Sequence, residues 1–311
     1  MFRLVLERPE KMTESLQGIL LKCIGGFYYV EAADAVYECR ARGIFRKQGL
    51  APVAGDRVRI SRQDGEKGTL EEVLERRNVL VRPPVANLDY LVLVASIADP
   101  SPSTLILDKM IAIAEKKGIE PLVVINKADL EDTSWLEDIY GTTGLPCFTV
   151  SASGGEGVEP LRQRLLGHIS AFTGNSGVGK SSLLNAIDPR LTLETGEISK
   201  KLGRGRHTTR TATLFRLEGG GYIVDTPGFS SLDMERAERI SKEELPNCFR
   251  EFAPYRGGCR FTSCAHVKEP GCAVRQAVEE GKIAASRYES YRTMYEEVKD
   301  KKDWEFKGNA E

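Results

Sequence analysis

Short apolar runs punctuated by turn residues open the chain. Between about Leu16 and Val81 they fall at Ile19–Ile24, Phe27–Glu31, Val36–Cys39, Val58–Ile60 and Leu70–Leu74, all rich in β-formers. Gly25-Gly26, Pro52, Gly55-Asp56 and Asp64-Gly65 separate them. Strands of this length and spacing predict a small closed or nearly closed β-barrel, and an SH3-like barrel would show much the same pattern. From about Asp89 the pattern changes. Tyr90–Ala98 is one apolar run, as expected of a strand buried on both faces. Leu105–Lys117 then places apolar residues at helical spacing. Further strands are predicted at Pro121–Ile125, Phe148–Val150, Ile169–Thr173 and Tyr222–Val224, with helices at Ser134–Tyr140, Val158–Leu166 and Lys180–Ile187. This alternation predicts a parallel sheet with helices on both sides. After Leu232 no strand-like run remains; Ala273–Lys282 and Ile283–Lys299 read as helices parted near Gly281. A Gly/Pro/Cys-rich insert between Asn247 and Cys272 has too few apolar residues for a core of its own.

The 311 residues allow about two domains, or three if some are small. The pattern divides them into a barrel over 1–77, an α/β domain over 78–232 and a mostly helical domain over 233–311. The 44 Lys+Arg nearly balance the 45 Asp+Glu, which excludes a histone-like basic protein or an acidic tail protein. No apolar run is long enough to span a bilayer, and Glu7, Arg8, Pro9 and Glu10 interrupt what would be a signal peptide's core. Seven cysteines without an export signal fit reduced thiols or a metal site. The expectation is a cytoplasmic protein with no membrane partner.

Gly174-Asn175-Ser176-Gly177-Val178-Gly179-Lys180-Ser181, followed by Ser182, matches the phosphate-loop pattern G-x-x-x-x-G-K-[ST]. Its glycines let backbone N–H groups turn toward phosphate, Lys180 reaches the β- and γ-phosphates, and the Ser181 hydroxyl ligates Mg²⁺. A strand runs into the loop and a helix leaves it, as that chemistry needs. Asp225-Thr226-Pro227-Gly228 ends the apolar strand Tyr222–Val224. There a carboxylate serves the nucleotide's Mg²⁺, and the Gly228 N–H approaches the γ-phosphate. Asn126-Lys127-Ala128-Asp129 resembles the base-reading motif of GTPases. The Asp129 carboxylate can accept from guanine N1–H and the 2-amino group, donors that adenine does not present there, so ATP is disfavoured. Ser151-Ala152-Ser153 resembles the companion loop that meets the guanine carbonyl.

The motif order is inverted. The base-reading loops precede the phosphate loop, so the GTPase sheet reads as circularly permuted, and the Asp225–Phe229 segment leads directly into the cysteine-bearing domain. From Ile198 to Leu217 there are six Lys/Arg and no acids, which fits contact with RNA; a solvated loop is the alternative. Thr208 or Thr209 is expected to reach Mg²⁺ and the γ-phosphate. Phe229 stands where many GTPases carry the glutamine that orients water, so low intrinsic turnover is expected. His207 is the candidate for that missing group, beside structural or RNA-contact roles. Cys259-x₄-Cys264-x-His266-x₅-Cys272 offers three thiolates and one imidazole, a closed tetrahedral set that fits structural Zn²⁺. Cys23, Cys39, Cys147 and Cys248 fit no such set and are expected to be buried thiols. His168 is assigned no role.

Barrel, permuted motifs (NKAD, SAS, GNSGVGKSS, DTPG) and C-x₄-C-x-H-x₅-C insert together closely resemble the bacterial ribosome-small-subunit-dependent GTPase family (RsgA, also called YjeQ). The resemblance covers the chain apart from Met1–Met12 and its final residues. It implies an OB-fold for the first domain, a zinc-stabilised third domain, and GTP hydrolysis to GDP stimulated by the 30S subunit during its late maturation. It further implies 16S rRNA as partner, a monomer, and a switch at 205–209 whose histidine, here His207, has been proposed to be catalytic. A nucleotide-gated RNA-binding scaffold, or a GTPase acting on another RNA or protein, would keep the same motifs.

Overall fold

A computed structural model describes residues 14–33, 35–43, 45, 50–191, 212–225, 234–235 and 237–301, with Asp225 described by its backbone alone. The chain divides into two compact units, Met1–Arg76 and Arg77–Glu311.

In the first unit, strands β1 (Ser15–Ile24), β2 (Phe27–Ala32), β3 (Ala35–Ala41), β4 (Arg57–Arg62) and β5 (Lys67–Val73) close into a barrel in the order β1-β2-β3-β5-β4. β3 and β5 run parallel; β4 pairs antiparallel with β1 and shuts the ring. A five-stranded ring of this kind is an OB-type barrel. Gly25 and Gly26, both at positive φ (60° and 82°), turn β1 into β2. At Gly18 a Cβ would lie 2.3 Å from Glu31 O, so only glycine lets β1 pass β2 this closely. Leu20, Val30, Tyr37, Cys39, Val58, Ile60 and Leu70 fill the interior. Arg76 closes the unit with a two-pronged grip on buried Asp56, Nε to Oδ1 at 2.7 Å and Nη2 to Oδ2 at 2.8 Å.

The second unit opens on a small hairpin, β6 (Val79–Leu80) with β7 (Val85–Ala86). Its main sheet contains β8 (Tyr90–Ser96), β9 (Glu120–Asn126), β10 (Cys147–Thr149), β11 (Ile169–Thr173), β12 (Thr213–Arg216) and β13 (Tyr222–Asp225), in the order β10-β9-β8-β11-β13-β12. Helices α1 (Thr104–Lys117), α2 (Ser134–Gly141), α3 (Val158–Leu165) and α4 (Lys180–Ile187) alternate with the strands. Every residue of β8 and β11 is buried, which accounts for the unbroken apolar run Tyr90–Ala95 of β8; β11 buries Ser170 and Thr173 along with its apolar residues. Leu161 and Leu165 of α3 and Leu183, Leu184 and Ile187 of α4 pack with Tyr90, Val92, Val94, Leu122 and Val124, alternate residues of β8 and β9. α1 packs on β8 and β9 outside that cluster.

The sheet is not wholly parallel. β12 pairs antiparallel with β13 around Gly219, Gly220 and Gly221, all at positive φ, where the sequence pattern predicts no strand between Ile187 and Tyr222. The helices after the cysteine-rich insert are also shorter than their periodicity predicts: α6 covers Ala273–Glu279 and α7 Ala285–Val298, following the one-turn α5 (Ala253–Arg256). Gly281, at φ 71°, takes the left-handed turn between α6 and α7. The insert borrows its core. Phe249 and Phe252 pack edge-on against Tyr291 of α7, at centroid distances of 5.3 and 4.9 Å.

All seven cysteines are free. Cys39 and Cys248 are buried as expected, whereas Cys23 and Cys147 are only half-buried. Burial pushes the Cys23 and Cys248 thiols up to about 12, and Cys39 and Cys147 to about 11, so none is a reactive thiolate. Among the described residues no helix is long and apolar enough to cross a membrane.

Candidate nucleotide site and metal cluster

β11 delivers the chain into the glycine-rich loop, and α4 leaves it at Lys180. The glycines are there for space as well as for turning. A Cβ on Gly174 (φ 149°) would lie 2.2 Å from Val94 O, and one on Gly179 (φ 91°) would lie 2.3 Å from Asn126 Nδ2. The loop is therefore pressed against β8 on one side and the NKAD turn on the other. Lys180 Nζ donates to Gly174 O at 2.6 Å and Asn175 O at 2.7 Å, folding its ammonium across the loop. Burial lowers the Lys180 pKa. Ser176 and Gly177 are exposed at the tip, Val178 is buried beneath it, and Ser181 and Ser182 are half-buried at the start of α4.

Asn126 ties three loops together. Its Nδ2 donates to Val178 O at 2.9 Å, and its Oδ1 accepts from the Ala152 N–H at 3.1 Å. The motif asparagine thus holds the phosphate loop and the Ser151–Ser153 loop in register, a role that its place in the motif did not disclose. Lys127 takes a left-handed conformation (φ 64°), and its Nζ donates to Asp99 O. The Ala128 N–H donates to Val150 O at 3.1 Å, which fixes the turn and leaves Asp129 exposed beyond it. Ser151 is buried; its Oγ accepts from the Gly154 N–H at 3.0 Å and meets Ser153 Oγ at 3.2 Å. These three loops leave the carboxyl ends of β9, β10 and β11, where open α/β sheets bind ligands.

Asp225 ends β13, whose parallel partner β11 feeds the phosphate loop. Its side chain, Gly228, and residues 198–211 of the basic segment, with His207, Thr208 and Thr209, lie outside the described residues. One carboxylate joins described residues from before and after that gap. Asp188, buried just after α4, accepts from Arg190 Nε at 2.9 Å, from Arg190 Nη2 at 2.6 Å and from the Glu218 N–H at 3.1 Å. The Arg190 guanidinium holds the Asp188 carboxyl well below the usual carboxylate range. Sequence reasoning missed this clamp; the Asp188-Pro189-Arg190 turn at a helix end was the available signal.

The second site lies in the cysteine-rich insert. One ligand atom from each of Cys259, Cys264, His266 and Cys272 falls within 4.8 Å of the others. His266 Nδ1 stands 3.6 Å from Cys259 Sγ and 3.4 Å from Cys272 Sγ, and those two sulfurs are 4.0 Å apart. A tetrahedral centre with ordinary zinc bond lengths sets sulfur–sulfur edges near ~3.8 Å and sulfur–nitrogen edges near ~3.6 Å. The donor set and its spacing therefore fit a four-coordinate metal. His266 sits at φ 59°, and burial, with Arg256 nearby, lowers its pKa and favours the neutral imidazole a metal requires. Glu269 fastens the turn by accepting from the N–H groups of Ala265, Val267 and Lys268, each at 3.0 Å. Two tyrosines of α7 hold its carbonyls: Tyr288 donates to His266 O at 2.9 Å and Tyr291 to Ala265 O at 2.5 Å.

Comparison with known proteins agrees along almost the whole chain. A family model described as RsgA GTPase matches residues 73–235, and one described as RsgA N-terminal domain matches 17–70. The small ribosomal subunit biogenesis GTPase RsgA of Caldanaerobacter subterraneus subsp. tengcongensis is 48% identical over 297 residues, covering 94% of this chain and 99% of the relative. The Moorella thermoacetica protein of the same name is 46% identical over 285 residues, covering 91% and 97%. Among solved structures, YjeQ from Thermotoga maritima superposes with a TM-score of 0.81 at 40% identity, over 93% of this chain and all of that one (100%). YloQ, a circularly permuted GTPase, gives 0.79 at 36% identity, covering 95% and 99%.

Proposed function

The chain belongs to the RsgA GTPase family, and from that premise we propose that it hydrolyses GTP to GDP as a late maturation factor of the 30S ribosomal subunit. The observation that carries the reading is Asn126, which binds the phosphate loop and the Ser151–Ser153 loop at once and so builds one nucleotide site from motifs in permuted order. In this reading residues 1–77 form an RNA-binding barrel, 78–232 the GTPase and 233–311 the zinc-binding helical domain. The protein acts in the cytoplasm as a monomer, with 16S rRNA as its contact on the subunit.

The backbone of Gly174–Ser182 cradles the phosphates, Lys180 neutralises them, and Asp129 selects guanine while Lys127 lies over the base. Ser181, with Thr208 or Thr209, would hold the Mg²⁺ that accompanies GTP and offsets its phosphate charge, served by Asp225. Cys259, Cys264, His266 and Cys272 would hold Zn²⁺ as a structural ion. The basic segment meets the subunit's RNA, and His207 orients the attacking water once that segment is ordered.

Steady-state GTP hydrolysis, measured alone, with 30S and with 50S subunits, tests the proposal. Selective acceleration by 30S is expected. Equal or absent stimulation would reduce the reading to a GTP-binding protein with another partner or with negligible turnover. In the same assay Lys180→Ala is expected to lower turnover by about a thousandfold or more, since a charge stabiliser is removed from the transferring phosphoryl group. His207→Ala should lose the stimulated turnover while keeping its affinity for GTP. Surviving stimulation would show that the histidine does not orient water.

A further inference from the structure

The helix whose tyrosines hold the carbonyls of the metal-binding turn also reaches the nucleotide half of the unit. Between Tyr288 and the turn before α7 lies Arg287, with no exposed surface. Its guanidinium is divided between two carboxylates. Nη1 donates to Asp108 Oδ1 of α1 at 2.7 Å, while Nε and Nη2 donate to Glu251 Oε1 and Oε2 at 2.8 and 3.2 Å. The ring of Phe249 lies 4.6 Å from its centre. Asp108 Oδ1 accepts a further bond from Tyr140 of α2, at 3.0 Å. One fully buried ionic cluster therefore joins α7, the metal-bearing insert through Glu251, and two helices of the α/β sheet.

Both of those helices begin beside the nucleotide loops. α2 is the first element after Asn126–Asp129. α1 is capped by Ser103, whose Oγ accepts from the Ile106 N–H at 3.5 Å. The strand end and turn before α1 border the phosphate loop: Pro100, Ser101, Ser103, Ile106 and Met110 share a small cavity with Gly174, Asn175 and Val178. A Cβ on Gly177 would meet Pro100 Cδ at 3.3 Å. A shift of the loop by a fraction of an ångström thus bears on the start of α1, one turn before Asp108. Charges buried this completely hold one geometry or break; they do not stretch, because an unpaired buried ion is strongly unfavourable.

We propose that Arg287 is a positioning residue that couples the metal-bearing insert to the nucleotide loops through Asp108 and α1. This is a route separate from the Asp225–Phe229 connection. It would let what happens at the insert bias the phosphate loop, and by linkage let the nucleotide bias the insert equally. The inference rests on the assignment of 174–182 as a nucleotide site.

The test is amide hydrogen exchange of the full-length protein with GDP and with a non-hydrolysable GTP analogue. In the wild type, exchange in 249–272 and 285–298 is expected to differ between the two nucleotides by about threefold or more. In Arg287→Met that difference should vanish while fluorescent GDP still binds. Asp108→Asn leaves Arg287 paired with Glu251 and should do the same without stranding a guanidinium, so it serves if the first variant does not fold. A merely structural role would raise exchange equally with either nucleotide and leave the difference intact. That result, or a wild type showing no difference, overturns the coupling. Failure of wild-type protein to bind fluorescent GDP would instead remove the nucleotide site on which it stands.

Discussion

Asp129→Asn is expected to lower the preference for GTP over xanthosine triphosphate by about 10⁴-fold or more. Guanine presents two donors, N1–H and the 2-amino group, to the carboxylate. An asparagine there keeps one acceptor and turns an NH₂ toward the 2-amino group, leaving two donors facing each other without a partner. Xanthine has a carbonyl at that position and accepts from the new amide. The fold gives this change little else to disturb. Asp129 is exposed, and the turn beneath it is held by backbone bonds, Ala128 N–H to Val150 O and Leu130 N–H to Lys127 O. Competition of GTP, ATP and xanthosine triphosphate for the wild-type and variant sites measures the effect. An unchanged GTP preference would move base recognition away from Asp129.

The turn can be trusted to survive because Asn126, three residues earlier, fixes its position. Its contacts also show where sequence stops being informative. The partners of Asn126 lie 52 and 26 residues away, so the motif marks the residue without revealing that it clamps two other loops. What was legible is local. The unbroken apolar run of β8 states its own burial, and the glycine spacing of 174–179 states a tight loop. The insertion of β5 between β3 and β4 is not local, so periodicity predicted a barrel without its strand order. β12 escaped because it lies within the basic run and presents only four positions, of which Leu214 alone is buried. Arg287 escaped for a different reason: an arginine in a polar-looking helix reads as solvated, and only the fold brings Asp108 and Glu251 to it.

Removing metal from Cys259, Cys264, His266 and Cys272 is expected to unfold 257–272 while leaving α7 packed. The two parts are held by different forces. Phe249, Phe252 and Tyr291 are buried together, and Arg287 anchors them to α1, so this layer has apolar and ionic support of its own. Residues 257–272 have little of either. Of them only His266 and Cys272 are buried, and Phe261 is exposed. What closes that loop is the ligand set and the Glu269 turn. Structural zinc in comparable small loops contributes about 10–16 kcal/mol of apparent binding free energy near neutral pH, more than so short a segment holds otherwise. Without the ion, three crowded thiols replace it; burial, helped by the neighbouring Cys272 and Cys259, pushes Cys264 up to about 12, so it stays protonated and neutral rather than bound. Chelation, or Cys272→Ser, should raise amide exchange in 257–272 by about a thousandfold or more and release close to one zinc per chain. Exchange in α7 should change far less, because its contacts with Phe249 and Phe252 do not pass through the metal. A chain that carries no metal, and whose 257–272 segment is indifferent to chelator, would leave the cluster as reduced core cysteines.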